Sequence, residues 1–219
     1  MIKILLFDFD GTISDARAIA RKNLFLVLDR HNYKYNKKMA DKLLGVKMQL
    51  IFKGLDLPIK DIDQIRKEFY ELMLKDTIKL HKCVSVKPLR ELKKKFRLIV
   101  ISNSESKFLL KSAKKLSVFN LFHKFYGAEM FRTKDQEIKH ILKKFNIKRK
   151  EAMYIGDRFS DVDFAKKAGV LSVSIHNNCS WSGLKEVLNE KPDFIIHDFY
   201  DLKELVEKFN KIEVCAKNL

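Results

Sequence analysis

The stretch Ile2-Lys3-Ile4-Leu5-Leu6-Phe7-Asp8-Phe9-Asp10-Gly11-Thr12 sets the terms for reading the whole chain. From Ile2 to Phe7 only Lys3 interrupts the apolar run, the pattern of a strand buried on both faces in a parallel sheet. The run stops at two aspartates one residue apart, followed by Gly-Thr. A hydrophobic strand gains nothing from carboxylates at its end unless they face a cation, perform chemistry or cap a helix. Gly11 permits a turn and a close approach of the backbone to a ligand. Thr12 adds a hydroxyl and neighbouring N–H groups of the kind that suit an anion. On its own such a pair is more readily explained by Asp8 or Asp10 capping the next helix. Residues far downstream decide between the two.

After Thr12 the spacing of Ile19, Leu24, Val27 and Leu28 predicts a helix over about 15–31. Further helical stretches lie near 37–44, 47–53 and 59–80, punctuated by Gly45, Gly54 and Pro58. Nothing between 15 and 82 has the pattern of a strand. A simple crossover needs one helix, so a wholly helical block of this length reads as an inserted module. Pro88 opens a helix running to Lys95. Strands are then expected at 97–102, 152–155, 170–175 and 194–196, with a short apolar stretch around Phe125-Tyr126. Helices fall between them, near 106–116, 135–145 and 160–168, then from about Trp181 and from Tyr200. This alternation predicts an α/β fold with a Rossmann-like, doubly wound parallel sheet, interrupted once by the helical insertion. Residues after Asn210 are expected to fray.

An apolar content of 46% with 11% aromatics is ample for a core and excludes a disordered chain. No apolar run is long enough to span a bilayer, and no basic region, long apolar stretch and small-residue cleavage site mark a signal peptide. Cys83, Cys179 and Cys215 are odd in number and lack metal-ligand spacing, which suits incidental thiols in a reducing, cytoplasmic setting. The 45 basic residues against 28 acidic ones give a net charge of +17, a field that favours anionic partners. The excess is mostly Lys, scattered along the polar faces of helices, with no arginine-rich arm, zinc finger or aromatic RNA-binding signature. The charge therefore reads as a generally basic surface rather than a nucleic-acid groove, and no membrane partner is expected. Monomer and homodimer fit the sequence equally.

In open parallel sheets, ligands bind beyond the carboxyl ends of the strands. The first strand delivers Asp8 and Asp10 there, the second Ser102 and Asn103, and a later one Gly156-Asp157 with Asp161 four residues on. Lys134 precedes a helix between the last two. Carboxylates brought together resist ionising unless a hard cation sits among them, and magnesium prefers a few carboxylates with water and phosphate oxygens. No His/Cys cluster competes for zinc.

The ordered set Asp8-Phe9-Asp10-Gly11-Thr12, Ser102, Lys134 and Gly156-Asp157-Arg158-Phe159-Ser160-Asp161 resembles the haloacid dehalogenase superfamily, in particular its phosphatases with a helical cap. The likeness spans nearly the whole chain, and the region around Leu44-Gly45-Val46-Lys47 is similar to caps of phosphoglycolate-phosphatase-like members. It implies a catalytic core over 1–14 and 83–219 and a cap over 15–82. It further implies that Asp8 is the nucleophile, forming an aspartyl-phosphate, and that Asp10 is the general acid and then base. Ser102 and Lys134 would hold the phosphoryl oxygens, with Gly11, Thr12 and Asn103 beside them. Mg2+ would sit on Asp8, the Asp10 carbonyl and Asp157, with Asp161 supporting indirectly. Because displacing halide from carbon needs no acid, Asp10 points to phosphoryl chemistry, and the expected substrate is a small phosphorylated metabolite.

Several residues keep a second reading. Ser102 suits a helix cap. The role of Lys134 could fall to Lys139, and many family members carry Lys-Pro where this chain has Lys134-Asp135. Asp163 competes with Asp161, either for the metal or for the helix N-terminus. Lys47 could touch substrate or lie solvated, and His176, Asn177 and Asn178 could border the site or form a polar turn. At the level of function, a phosphomutase would share the aspartyl-phosphate, and a basic nucleic-acid-binding or scaffold protein would keep only the fold.

Overall fold

The structure, a computed structural model, describes residues 1–215, with side chains through residue 211. A six-stranded, wholly parallel sheet forms its centre: β1 (Ile4–Phe7), β2 (Arg97–Ile101), β3 (Lys124–Tyr126), β4 (Ala152–Gly156), β5 (Leu171–Ile175) and β6 (Phe194–Ile196). Their spatial order is β3-β2-β1-β4-β5-β6. The short stretch at Phe125-Tyr126 thus becomes an edge strand, pairing with Val100 and Ile101. β1 lies between β2 and β4, with Phe7 opposite both Val100 and Ile155. The strand order reverses around β1, and a crevice opens there at the carboxyl ends.

Period-two alternation sends the side chains of β1 into two cores. Ile4 and Leu6 join Ile99, Ile101, Tyr154, Ile138, Ile141 and Ala165, whereas Leu5 and Phe7 join Leu98, Val100, Ile155, Leu89, Leu202 and Val206. The first face is covered by α7 (Lys134–Lys144) and α8 (Phe159–Ala168), the second by α5 (Lys87–Lys95) and α10 (Phe199–Cys215). All four residues of β1 are fully buried, which is why the strand carries no polar residue until Asp8. Removing the Phe7 ring would cost about 3–5 kcal/mol.

Between β1 and β2 the described chain contains helices and no strand: α1 (Arg17–Arg30), α2 (Lys37–Leu43), α3 (Met48–Gly54) and α4 (Ile62–Asp76), followed by α5. The 59–80 stretch divides into α4 with a short 3-10 turn at each end. The second core runs without a break from Phe7 through Phe9 and Ile13 into Leu24, Phe52, Ile65 and Phe69 of this block. Its entry and exit lie side by side: Ser14 bridges Lys82, the Asp15 N–H donates to His81 O at 2.9 Å, and the Cys83 N–H donates to Ile13 O at 3.0 Å. α6 (Ser106–Lys115) packs Phe108, Leu109 and Ala113 into this same core, and α9 (Leu184–Asn189) lies between β5 and β6 in the chain. α9 begins three residues after Trp181, which instead sits in the preceding loop. α10 continues past Asn210 to Cys215; the rest of the segment expected to fray lies outside the described residues, as does the Cys215 thiol. No helix among the described residues is long and apolar enough to cross a membrane.

Candidate active site

Beyond Phe7 the chain makes a tight turn. The Ile13 and Ser14 N–H groups both donate to Phe9 O, at 2.8 and 3.0 Å, and the Gly11 N–H donates to Ser14 O at 2.8 Å. Gly11 takes φ +90°, and a Cβ at this position would overlap the Asp157 carboxylate and the Trp181 ring. Glycine is required here both for its backbone and for the room it leaves. The turn throws the side chains of Asp8 and Asp10 outward from the sheet, to different neighbours.

Asp8, Asp157 and Asp161 are buried, and a carboxylate oxygen of each lies within 4.8 Å of the others. Lys134 opens α7 and is 2% exposed; its Nζ stands 2.9 Å from both Asp8 Oδ1 and Asp161 Oδ1. Asp161 is further held by the Tyr154 hydroxyl at 3.1 Å and the Arg158 N–H at 3.1 Å. Asp157 accepts from the Thr12 hydroxyl at 3.1 Å and from the Trp181 N–H at 2.7 Å. Thr12 therefore spends its hydroxyl on a carboxylate. Lys139, by contrast, lies on the surface with Asp135, and Asp163 pairs with Lys167, so neither joins the cluster.

The electrostatics reflect burial. The Asp8 carboxyl is raised to about 7, chiefly because it has lost water, with Lys134 opposing the shift. Burial, reinforced by Asp8 and Asp161, raises Asp157 well above the carboxylate range. Burial works against the charge on Lys134, but Asp161 and Asp8 overcome it and the ammonium is held above its ordinary pKa. Three carboxylates facing one ammonium leave a surplus of negative charge that a cation would relieve. Oxygen donors alone, with no His or Cys among them, suit a hard divalent ion.

Asp10 stands apart from that cluster. Its Oδ2 accepts from the Ser104 hydroxyl at 2.6 Å and, more weakly, from the Ser102 hydroxyl at 3.5 Å, while Oδ1 is buried with no partner. Its pKa is raised to about 6, first by burial and against the pull of Ser104. The carboxyl thus exchanges its proton near neutral pH, as a general acid requires. Ser102 comes directly after β2, is 1% exposed, and accepts the Ser104 N–H at 3.0 Å.

The helical block closes over these groups. Asn103 donates Nδ2 to Gly45 O at 2.9 Å, and the Arg158 guanidinium donates to Leu44 O and Lys42 O. Lys47 is neither solvated nor turned to the carboxylates: its Nζ donates to Ala128 O at 2.6 Å and to Phe131 O, 4.2 Å from the Phe131 ring centre. Gly45, at φ +84°, rests so tightly on Arg158 and Trp181 that a Cβ would overlap both. The loop between α2 and α3 is thereby fastened to the core from three directions. A chamber of about 50 Å3 remains beneath it, bordered on the core side by Asp8, Asp10, Ser102, Asn103 and Ser104. A wider cleft of about 500 Å3 lies beyond Met48, Tyr70 and Asn103. In it Arg66 is paired with Glu105 at 3.3 Å.

The residues singled out from sequence are thus brought to one place, with two refinements. Asn103 and Thr12 turn their side chains to Gly45 and Asp157. His176, Asn177 and Asn178 form a turn in which the Asn177 Oδ1 accepts the Cys179 N–H at 2.9 Å and its N–H meets the Ser180 hydroxyl at 3.0 Å. Ser104, Arg158 and Trp181 were not singled out from sequence. Ser104 lies two residues beyond Ser102 and Arg158 is next to Asp157, so proximity to those residues was a usable signal; Trp181 offered none. Cys83 and Cys179, far apart in sequence, meet through their thiols, and the hydrogen bond to Cys179, with burial, pushes the Cys83 thiol up.

Comparison with known proteins agrees with this geometry. The model of the family "Haloacid dehalogenase-like hydrolase" matches residues 5–175. A protein of Caldanaerobacter subterraneus subsp. tengcongensis named "Putative pyrophosphatase PpaX" is 26% identical over 94% of this chain and 95% of its own length. The phosphoglycolate phosphatase of Aquifex aeolicus is 26% identical over 94% of this chain and 97% of its own. Among solved structures, a hydrolase from Pseudomonas syringae superposes with a TM-score of 0.82 at 15% identity, covering 95% of this chain and 99% of that one, a likeness of fold. The match to the family model, running from β1 through β5 and taking in every residue of the carboxylate cluster, shows that this chain belongs to the haloacid dehalogenase-like hydrolases.

Proposed function

We propose that this hydrolase is a magnesium-dependent phosphatase, acting on a small phosphomonoester through an aspartyl-phosphate at Asp8, with residues 15–82 serving as a cap over a core of 1–14 and 83–219. The observation that carries the reading is the division of labour between two aspartates on one turn. Asp8 sits among Asp157, Asp161 and Lys134, whereas Asp10 is set apart against two serine hydroxyls with a pKa of about 6.

Mg2+ held by Asp8, Asp157 and the Asp10 carbonyl, with Asp161 behind them, would neutralise the phosphoryl oxygens and orient them for displacement. The remaining steps belong to the chain's own groups. A carboxylate oxygen of Asp8 attacks phosphorus while the bond to the leaving oxygen breaks, and Asp10 passes its proton to that oxygen. Lys134 and Ser102 balance charge on the transferred group. Asp10, now ionised, takes a proton from the water that attacks the aspartyl-phosphate; inorganic phosphate leaves and the Asp8 carboxylate is restored. The fastened cap excludes bulk water, which strengthens each of these interactions. The activity carried by the name of the Aquifex aeolicus relative supports a phosphomonoester as substrate.

The test is turnover of a panel of phosphorylated metabolites with and without magnesium. Release of inorganic phosphate is expected, whereas an isomerised product would mark a mutase. Asp8→Asn should fold and be inactive. Asp10→Ala should lose far more activity on an alkyl phosphate than on an activated aryl phosphate, whose leaving group needs little protonation. Equal losses on both would remove Asp10 from the acid role.

A further inference from the structure

Arg158 is a buried cation that the fold leaves without an anion. It is 7% exposed and borders the chamber together with Asp8, Asp10 and Asn103. Its partners are carbonyls: Nη1 donates to Leu44 O and Nη2, at 3.5 Å, to Lys42 O. Three of its five N–H donors remain, and the Nε–H among them is buried with no acceptor. Among the described residues no carboxylate pairs with the guanidinium. The neighbouring Asp157 accepts from Thr12 and Trp181, and Asp161 takes Lys134. A guanidinium withdrawn from water in this way is costly until an anion meets it.

The position of the side chain says which anion. Lys134 meets Asp8 at the strand ends, and Ser102 lies beside them. The guanidinium instead lies against the loop between α2 and α3, where a Cβ on Gly45 would overlap Nη1. It therefore faces the part of a substrate that lies beyond the phosphoryl group. The Trp181 Nε1–H, on the same border of the chamber, is a second buried donor with no acceptor. The chamber also shares Met48, Tyr70 and Asn103 with the wider cleft, so its own volume does not bound the substrate. The cations of that cleft are otherwise provided for. Arg66 is paired with Glu105 and Asp63, Lys47 donates to two carbonyls, and Arg132 is exposed.

Resting on the phosphatase reading above, we propose that Arg158 is a specificity residue for that substrate. It receives an anionic group on the leaving portion, a carboxylate or a second phosphate next to the ester, through Nε–H and a free terminal N–H.

The experiment compares kcat/KM, with magnesium, within two pairs: 2-phosphoglycolate against its amide, which has the same shape without the charge, and pyrophosphate against acetyl phosphate. In at least one pair the wild type should favour the anion by on the order of tenfold or more. Arg158→Met should reduce that ratio by about the same factor, and Arg158→Lys, which keeps the charge without the fork, should reduce it in part. The pair that responds tells a carboxylate from a phosphate. Calorimetry in an Asp8→Asn background gives a readout free of turnover: Arg158→Met should weaken binding of the favoured anion and leave that of its neutral counterpart. Equal losses on anion and neutral counterpart would assign Arg158 to the fastening of Leu44 alone and overturn the proposal, as would a wild type with no preference in either pair. Both outcomes leave the phosphatase reading standing. Should Arg158→Met fail to fold, the ratio in Arg158→Lys decides, and an unchanged ratio overturns the proposal. No magnesium-dependent turnover of any of the four compounds overturns both.

Discussion

Replacing Asp10 by Asn should make the metal-free protein more stable at neutral pH while destroying its use as an acid. The carboxyl is raised from 3.8 in the unfolded chain to about 6 in the fold, mainly by burial, and its Oδ1 has no partner. Two pKa units correspond to about 3 kcal/mol. Proton counting gives the sign. Below about pH 4 both states of the wild type hold the proton and nothing is lost. Between about pH 4 and 6 the unfolded chain releases its proton first, so stability falls as pH rises; above about 6 the loss is complete. Asn carries no charge at any of these pH values. Its amide can offer its oxygen to Ser104 but leaves an N–H pair near the unpartnered position, at a cost of about 1–3 kcal/mol that does not vary with pH. The readout is therefore a difference of curves. In urea unfolding measured by circular dichroism, with a chelator present, the stability of Asp10→Asn relative to wild type should grow by about 3 kcal/mol between pH 4 and pH 7. The other buried carboxylates are common to both proteins and drop out of the comparison to first order. Parallel curves would show that Asp10 titrates in the fold as it does in the unfolded chain, and would refute a proton held ready there.

Three further outcomes rest on the same contacts. Lys134→Met leaves Asp8 and Asp161 without the ammonium that each meets at 2.9 Å, and should cost about 3–5 kcal/mol at pH 8, shrinking as Asp8, raised to about 7, takes up its proton on acidification; a pH-independent loss would contradict it. Gly11→Ala, which forces a Cβ onto Asp157, should weaken magnesium binding measured by calorimetry by about tenfold or more, and unchanged affinity would refute the overlap. Lys47→Met removes the attachment of the α2–α3 loop to Ala128 and Phe131, outside the chamber, so it should speed proteolytic cutting within 44–55 and raise KM more than it lowers kcat; identical cutting rates would show that the Lys47 contacts do not hold the loop.

Much of the molecule could be read before any coordinates. The β1 run is uniformly apolar because both of its faces are buried, and the switch to Asp8 falls where the strand leaves the sheet. The helical block announced itself through its length and its lack of alternation. The edge strand at 124–126 was visible only as an apolar pair, since three residues carry too little periodicity to identify a strand. The helix expected from Trp181 starts later because the Trp181 backbone is drawn to Asp157. Asp161 and Asp163 are equivalent on paper; they separate only because α8 turns one inward to Lys134 and the other out to Lys167.

Chemical type, order and spacing were properties of the linear chain: a strand-end pair of aspartates, a serine, a lysine and a second acidic turn on successive sheet units. Those obey local rules, since periodicity and turn chemistry act over a few residues. Which carboxylate shares an ammonium, which asparagine reaches across to the helical block, and which side chains line the chamber depended on contacts between segments far apart along the chain. Burial and pairing are set by neighbours in space, so the protonation of Asp10 and the character of the chamber came into being only when the chain closed on itself.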